Sequence, residues 1–185
     1  ILEAPRFGTI QYHPSLLPEH RGPSSINWPI IQGKSKTGLT VFWPDKGLDT
    51  GPILLQKEFE ITKTDTLGSV YFGKLYPAGV EAMVEAVEMV KNGTAPKIEQ
   101  DHSKATYEGW CRSSDVMIDW NNPGVEIYNL IRGSDPSPGA NTLWNQKSIY
   151  LFSTSFESSN HDNPPGCVTK ICDESFSLSV SGGII

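Results

Sequence analysis

The sequence predicts an α/β protein: part of an open sheet with flanking helices, followed by a small β-rich second region. Three observations predict it. Short β-prone runs alternate with helical periodicity as far as Gly93, an aperiodic polar stretch follows over residues 94–115, and strand-like runs dominate beyond it. With 37% hydrophobic and 19% charged residues, 185 positions hold one ordinary domain or two small ones.

Gly8 to Tyr12 reads as a short strand feeding the rigid loop His13-Pro14-Ser15-Leu16-Leu17-Pro18, because two prolines forbid a continuing strand or helix. Ser24 to Gln32 predicts a helix interrupted or restarted at Pro29, with Gly33 as its stop. Thr37 to Trp43 is β-branched and aromatic, hence a strand, and Ile53 to Ile61 is a second. Leu67, Val70, Tyr71 and Leu75, then Val80, Met83, Val84, Val87 and Val90, follow the helical period. Two segments are expected, parted at Pro77 and ended by Asn92-Gly93, the second amphipathic with Glu81, Glu85 and Glu88 facing water.

Residues 94–115 read as a linker, with a domain boundary near Thr106, so that 1–105 form the first domain and 106–185 the second. After it, Asn122-Pro123 starts a helix that stops at Arg132-Gly133, and Ser148–Ser155, Gly166–Ile171 and Phe176–Val180 read as strands. The chain opens without methionine almost directly on a strand, and its strand-like tail, Gly182 to Ile185, has no evident pairing partner. It is therefore expected to be a fragment of a longer polypeptide.

Composition narrows the function. No run approaches the roughly 18 apolar residues of a membrane span, and Ile1 to Pro5 are no signal peptide, so no membrane partner is expected. Cys111, Cys167 and Cys172 cannot all pair and show no zinc-type spacing, which suggests reduced thiols in a cytoplasmic protein and no bound metal. A net charge of −6 opposes binding to a phosphate backbone, so no nucleic-acid partner is expected. Trp28, Trp43 and Trp110 read as core rather than as stacking platforms.

Two residues carry the candidate chemistry. A lone histidine beside a strand end is more often structural than catalytic, but His13 closes a strand and opens a proline-stiffened loop, where open α/β sheets place ligands. Imidazole also titrates near neutrality. Asp49 sits in Gly47-Leu48-Asp49-Thr50-Gly51, and the plain reading is a turn aspartate. If the two preceding runs are parallel neighbours, both side chains reach one sheet edge and share a proton or a water. Asp49 would then raise the histidine pKa while desolvation lowers it.

His13-Pro14-Ser15-Leu16-Leu17-Pro18, with Arg21-Gly22 and then Gly47-Leu48-Asp49-Thr50-Gly51, resembles the signature of the folate-dependent formyltransferase family. The resemblance implies the second half of an open Rossmann-like formyltransferase sheet, then a truncated, OB-like β-barrel domain. It implies that His13 and Asp49 are catalytic and that Ser15, Leu16, Leu17, Pro18 and Asp49 contact folate. Pro23 to Trp28, Phe42 to Asp45, Leu54 to Lys57 and Ile131 to Asp135 look more like the family's 10-formyltetrahydrofolate dehydrogenase branch than its methionyl-tRNA branch.

That branch implies 10-formyltetrahydrofolate as substrate, with a carrier domain and an aldehyde dehydrogenase domain using NADP elsewhere in the polypeptide. It further implies a homo-oligomer formed through those domains, and a cytoplasmic or mitochondrial location. Gln11 departs from the family, many of whose members carry Asn two residues before the histidine. Its extra methylene moves the amide donor, so Gln11 is left out of the site. The rival readings are methionyl-tRNA formyltransferase, a sugar-nucleotide formyltransferase, and a catalytically silent piece that keeps a folate-binding surface.

Overall fold

The computed structural model describes Leu2 and residues 4–185; Ile1 and Glu3, within the opening segment read above as no signal peptide, lie outside the described residues. The first region holds β1 (Gln11–His13), α1 (Asn27–Ile31), β2 (Lys36–Phe42) and β3 (Ile53–Glu60). Helices α2 (Leu67–Val70) and α3 (Tyr76–Lys91) follow, joined by a π-helical turn at Tyr71–Leu75.

The sheet order is β1-β2-β3 and both pairings are antiparallel, with His13 opposite Thr40 and Val41 opposite Leu55. This corrects the expectation of parallel neighbours. The 22 residues between His13 and Lys36 would suffice for a crossover, but they fold as a loop and the short α1 at the end where β1 stops, so β2 starts there and runs back beside β1. β2 is the middle strand, and all its residues after Lys36 are buried.

Leu39, Val41 and Leu54 from the sheet meet Val70, Leu75, Ala82 and Ala86 from the helices in one core. Pro77 falls in the first turn of α3, where its missing N–H costs nothing, so the helical run continues through it rather than parting there. The buried face of α3 also differs from expectation. Gly79, Ala82 and Ala86 pack inward, while Val80, Val84 and Val87 stand exposed beside Glu81, Glu85 and Glu88. The small residues bring the helix axis close to the sheet, and the larger valines point away from it.

The second region holds α4 (Gly124–Ser134), β4 (Ala140–Trp144), β5 (Lys147–Leu151), β6 (Glu157–Ser158), β7 (Val168–Ile171), β8 (Phe176–Val180) and β9 (Gly183–Ile184). β4 and β5 form a hairpin, and the other strands form a sheet in the order β6-β9-β8-β7; no closed barrel forms among the described residues. The tail that lacked an evident partner is β9, which pairs with β6 and β8. Ile127, Ile131, Ala140, Leu151, Leu178 and Val180 make this region's core.

Helix α4 joins the two regions. It runs past Arg132-Gly133, because Gly133 is a contact point rather than a stop: a Cβ there would lie 2.6 Å from Cγ1 of Ile31 in α1. The buried Arg132 donates to the carbonyls of Thr62 at 3.2 Å and Asp65 at 2.9 Å, and the Asn27 amide donates to the carbonyl of Gly133 at 3.0 Å. Among the described residues, no helix is long and apolar enough to cross a membrane.

Candidate active site

His13 ends β1 and is buried with only 5% of its surface exposed. Its Nε2 lies 2.9 Å from the carbonyl oxygen of His20, which can only accept, so Nε2 carries the proton of the neutral ring. Nδ1 is left with a lone pair and lies 3.6 Å from Oδ2 of Asp49. That separation is too long for a direct hydrogen bond, and it lets one water touch both atoms from the side. Burial pushes the imidazole pKa of His13 below its ordinary value, outweighing the His20 carbonyl and the Asp49 charge, which both favour imidazolium.

Asp49 lies in the loop between β2 and β3, from Trp43 to Pro52, and that loop folds back toward the end of β1. Its φ is +55°, a left-handed geometry that Asp tolerates better than most residues. Oδ2 accepts from the amide of Gly22 at 2.9 Å, which aims the carboxylate at His13.

The loop after His13 is held from below by the sheet. The Thr40 hydroxyl on β2 donates to the carbonyl of Ser15 at 2.7 Å and accepts from the Leu17 amide at 3.1 Å. Gln56 on β3 donates to the Leu17 carbonyl at 2.8 Å and to the Thr40 hydroxyl at 2.9 Å. Ser15 turns inward and donates to the carbonyl of Glu19 at 2.7 Å, and Leu17 is buried; Leu16 and Pro18 are half-buried and form the accessible rim. Gln11 is exposed on β1.

Residues 98–108 are not a free linker. The backbone of Ile98 exchanges hydrogen bonds with Ile53 at 2.7 and 2.9 Å, and Thr106 to Glu108 run alongside Pro18 to Arg21. The Thr106 hydroxyl accepts from the His20 amide at 2.8 Å, and the buried His20 ring donates from Nδ1 to Glu108 Oε1 at 3.0 Å. This strap braces the carbonyl that fixes the His13 tautomer. Sequence reading missed Gln100 and Glu108 because an aperiodic polar stretch carries no packing signal, and His20 because its contact with His13 is made by its backbone carbonyl, although Arg21-Gly22 in the motif pointed at the strap's partner. Of the three tryptophans read as core, Trp43 packs against it, Trp28 donates to the Gly109 carbonyl at 2.9 Å, and Trp110 is exposed. Among the described residues, no group of three or more His, Cys, Asp or Glu is placed to hold a metal ion.

The family model described as formyl transferase matches residues 1–87, and that of the formyl transferase C-terminal domain matches residues 111–185. The chain belongs to the formyl transferase family. Among relatives of this chain, the cytosolic 10-formyltetrahydrofolate dehydrogenase of Xenopus laevis is 45% identical over 84% of the chain. The mitochondrial 10-formyltetrahydrofolate dehydrogenase of Homo sapiens is 44% identical over 90%. The chain spans 17% of the first relative's length and 18% of the second's. A methionyl-tRNA formyltransferase of Desulforamulus reducens is 36% identical over 100% of the chain, which spans 58% of it. Among solved structures, HypX from Aquifex aeolicus in complex with tetrahydrofolic acid superposes with a TM-score of 0.79 at 22% identity, covering 95% of this chain and 30% of that one. The fold is that of a formyltransferase: a mixed α/β half with a small C-terminal domain.

Proposed function

We propose that this chain is the part of a 10-formyltetrahydrofolate dehydrogenase polypeptide that removes the formyl group from 10-formyltetrahydrofolate, with His13 and Asp49 acting as a unit. The observation that carries the reading is the 3.6 Å approach of the proton-free Nδ1 of His13 to Oδ2 of Asp49, both buried. Identities of 44% and 45% to dehydrogenases of this name, against 36% to the methionyl-tRNA enzyme, favour the branch.

A water in contact with both groups gives up one proton to the pair as its oxygen bonds to the formyl carbon. The carbon–nitrogen bond then breaks, the folate nitrogen takes that proton, and the formic acid formed loses its remaining proton to solvent, leaving formate and tetrahydrofolate. His13 is suited to accept because burial keeps its ring neutral. Leu16 and Pro18 form the rim against which folate packs, and Ser15 and Leu17 shape that rim from within. In the complete polypeptide, a carrier domain and an aldehyde dehydrogenase domain outside this chain would oxidise the formyl group with NADP and form the homo-oligomer.

Residues 1–105 carry the chemistry in this reading, and 106–185 form a C-terminal region whose first residues brace it. The three free cysteines favour a reducing compartment; relatives bear both cytosolic and mitochondrial names. The test is formate release by the complete polypeptide carrying His13→Ala, Asp49→Ala or both. Each single change is expected to suppress turnover, and the double change to cost little more than either alone. A near wild-type rate from either single variant overturns the assignment.

A further inference from the structure

We propose that Gln100 is a positioning residue for Asp49: a side-chain amide, oriented by Arg21, that pins the backbone on which the carboxylate stands. The inference rests on the reading of Asp49 as catalytic. Gln100 is 5% exposed, and its Nε2 donates to the carbonyl of Asp49 at 2.9 Å and to that of Gly51 at 2.7 Å. Its Oε1 accepts from the Arg21 guanidinium at 2.6 Å.

These partners leave the amide one orientation. Flipped, it would turn N–H groups toward a cation and an oxygen toward two carbonyls, losing three buried hydrogen bonds at once. The guanidinium is itself fixed, being 1% exposed, bonded to the hydroxyl of Tyr107 and to Nδ1 of His102 at 3.0 Å, and stacked over the Tyr107 ring. Among the described residues it forms no ion pair, and Gln100 Oε1 is one of the acceptors that hold it. The two pinned carbonyls flank Thr50, so the amide clamps the loop at Asp49 and again at Gly51, immediately where the backbone takes its left-handed turn. Gly22 holds the same aspartate by its side chain. Backbone and side chain of Asp49 are therefore fixed by separate segments.

The test uses the complete polypeptide with Gln100→Met, which removes every polar contact, and Gln100→Glu, which keeps the bond to Arg21 but sets an oxygen against both carbonyls. Each is expected to lower kcat for formate release about 10- to 100-fold, with KM for 10-formyltetrahydrofolate within about 2-fold, because misplacing a reacting group by an ångström costs rate more than affinity. In the Asp49→Ala background, Gln100→Met should cost nothing further, an outcome that a purely structural role would not give. A kcat within about 2-fold of wild type for the glutamate variant, or a full additional loss in the Asp49→Ala background, overturns the proposal alone. Undiminished turnover by Asp49→Ala overturns the catalytic reading and this proposal with it.

Discussion

The backbone amide of Gly22 donates to Oδ2 of Asp49 over 2.9 Å, the same oxygen that lies 3.6 Å from Nδ1 of His13. One peptide group therefore aims the carboxylate. It does so with a φ of +105°, and a Cβ on Gly22 would fall 2.2 Å from the carbonyl oxygen of Glu108.

Gly22→Ala is accordingly expected to push the amide off Asp49 and the strap off Arg21. Backbone strain alone costs about 1–3 kcal/mol, and the clash with a backbone oxygen adds to it. Urea denaturation and formate release, measured together, should both fall. An alanine variant with unchanged stability and turnover would show that the amide does not aim the carboxylate.

The pH dependence follows from the lowered pKa of His13. Because burial favours the neutral ring, protonation is deferred to more acid solution than for a free histidine, and the acidic limb of kcat/KM should lie below pH 6.5. Folding stability carries the same sign: below 6.5 the unfolded chain binds a proton that the native ring refuses, so this site stabilises less as pH falls from 6.5 toward the native pKa. Asp49→Asn removes a charge that favours imidazolium, so the His13 resonance should titrate at still lower pH by NMR. A shift to higher pH would contradict the geometry.

Asp65 supplies a second pH signature, at the turn that receives α4. Burial opposes its ionisation, but Lys74 at 2.5 Å, the Ser69 hydroxyl at 2.7 Å and the Thr62 amide at 2.7 Å take its pKa down to about 2. The stabilisation is fully present above pH 3.8 and is lost as pH falls toward 2. Asp65→Asn should cost about 2 kcal/mol in urea denaturation at pH 7 and much less near pH 2. Equal costs at both pH values would remove the charge from the explanation.

Acceptor choice can be checked by binding. With a net charge of −6, the polypeptide segment is not expected to hold initiator tRNA at physiological salt. Saturable binding at micromolar concentration with a steep salt dependence would return aminoacyl-tRNA to consideration as the formyl acceptor.

The sequence made β2, β3 and α4 legible, because apolar patterning and Gly/Pro punctuation are local signals, whereas His13 and Asp49, singled out by their loops and by the family motif, meet in the structure through an antiparallel sheet. Strand direction was not legible: the 22 residues between His13 and Lys36 are enough for a crossover, and their types do not show that they fold back at one end of the sheet. β4 escaped because its turn to β5 uses Asn145-Gln146, both at positive φ (49° and 63°), without the glycine that marks such turns. The valines of α3 fit a helical period but not the inward face, which small residues occupy. At the site, the missed groups act through backbone atoms or through one another, as when the His20 carbonyl, not its ring, meets His13. Such roles leave no trace in residue type.

The strap at 98–108 falls wholly in the gap between the two matched family regions, 1–87 and 111–185. Gene fusions, chimeras or truncations that treat that gap as interchangeable tether would thus exchange part of the scaffold under His13 and Asp49 along with it. A hybrid joined after residue 87 inherits someone else's Gln100 and Glu108, and compatibility between parents is decided there, in the residues that look most dispensable.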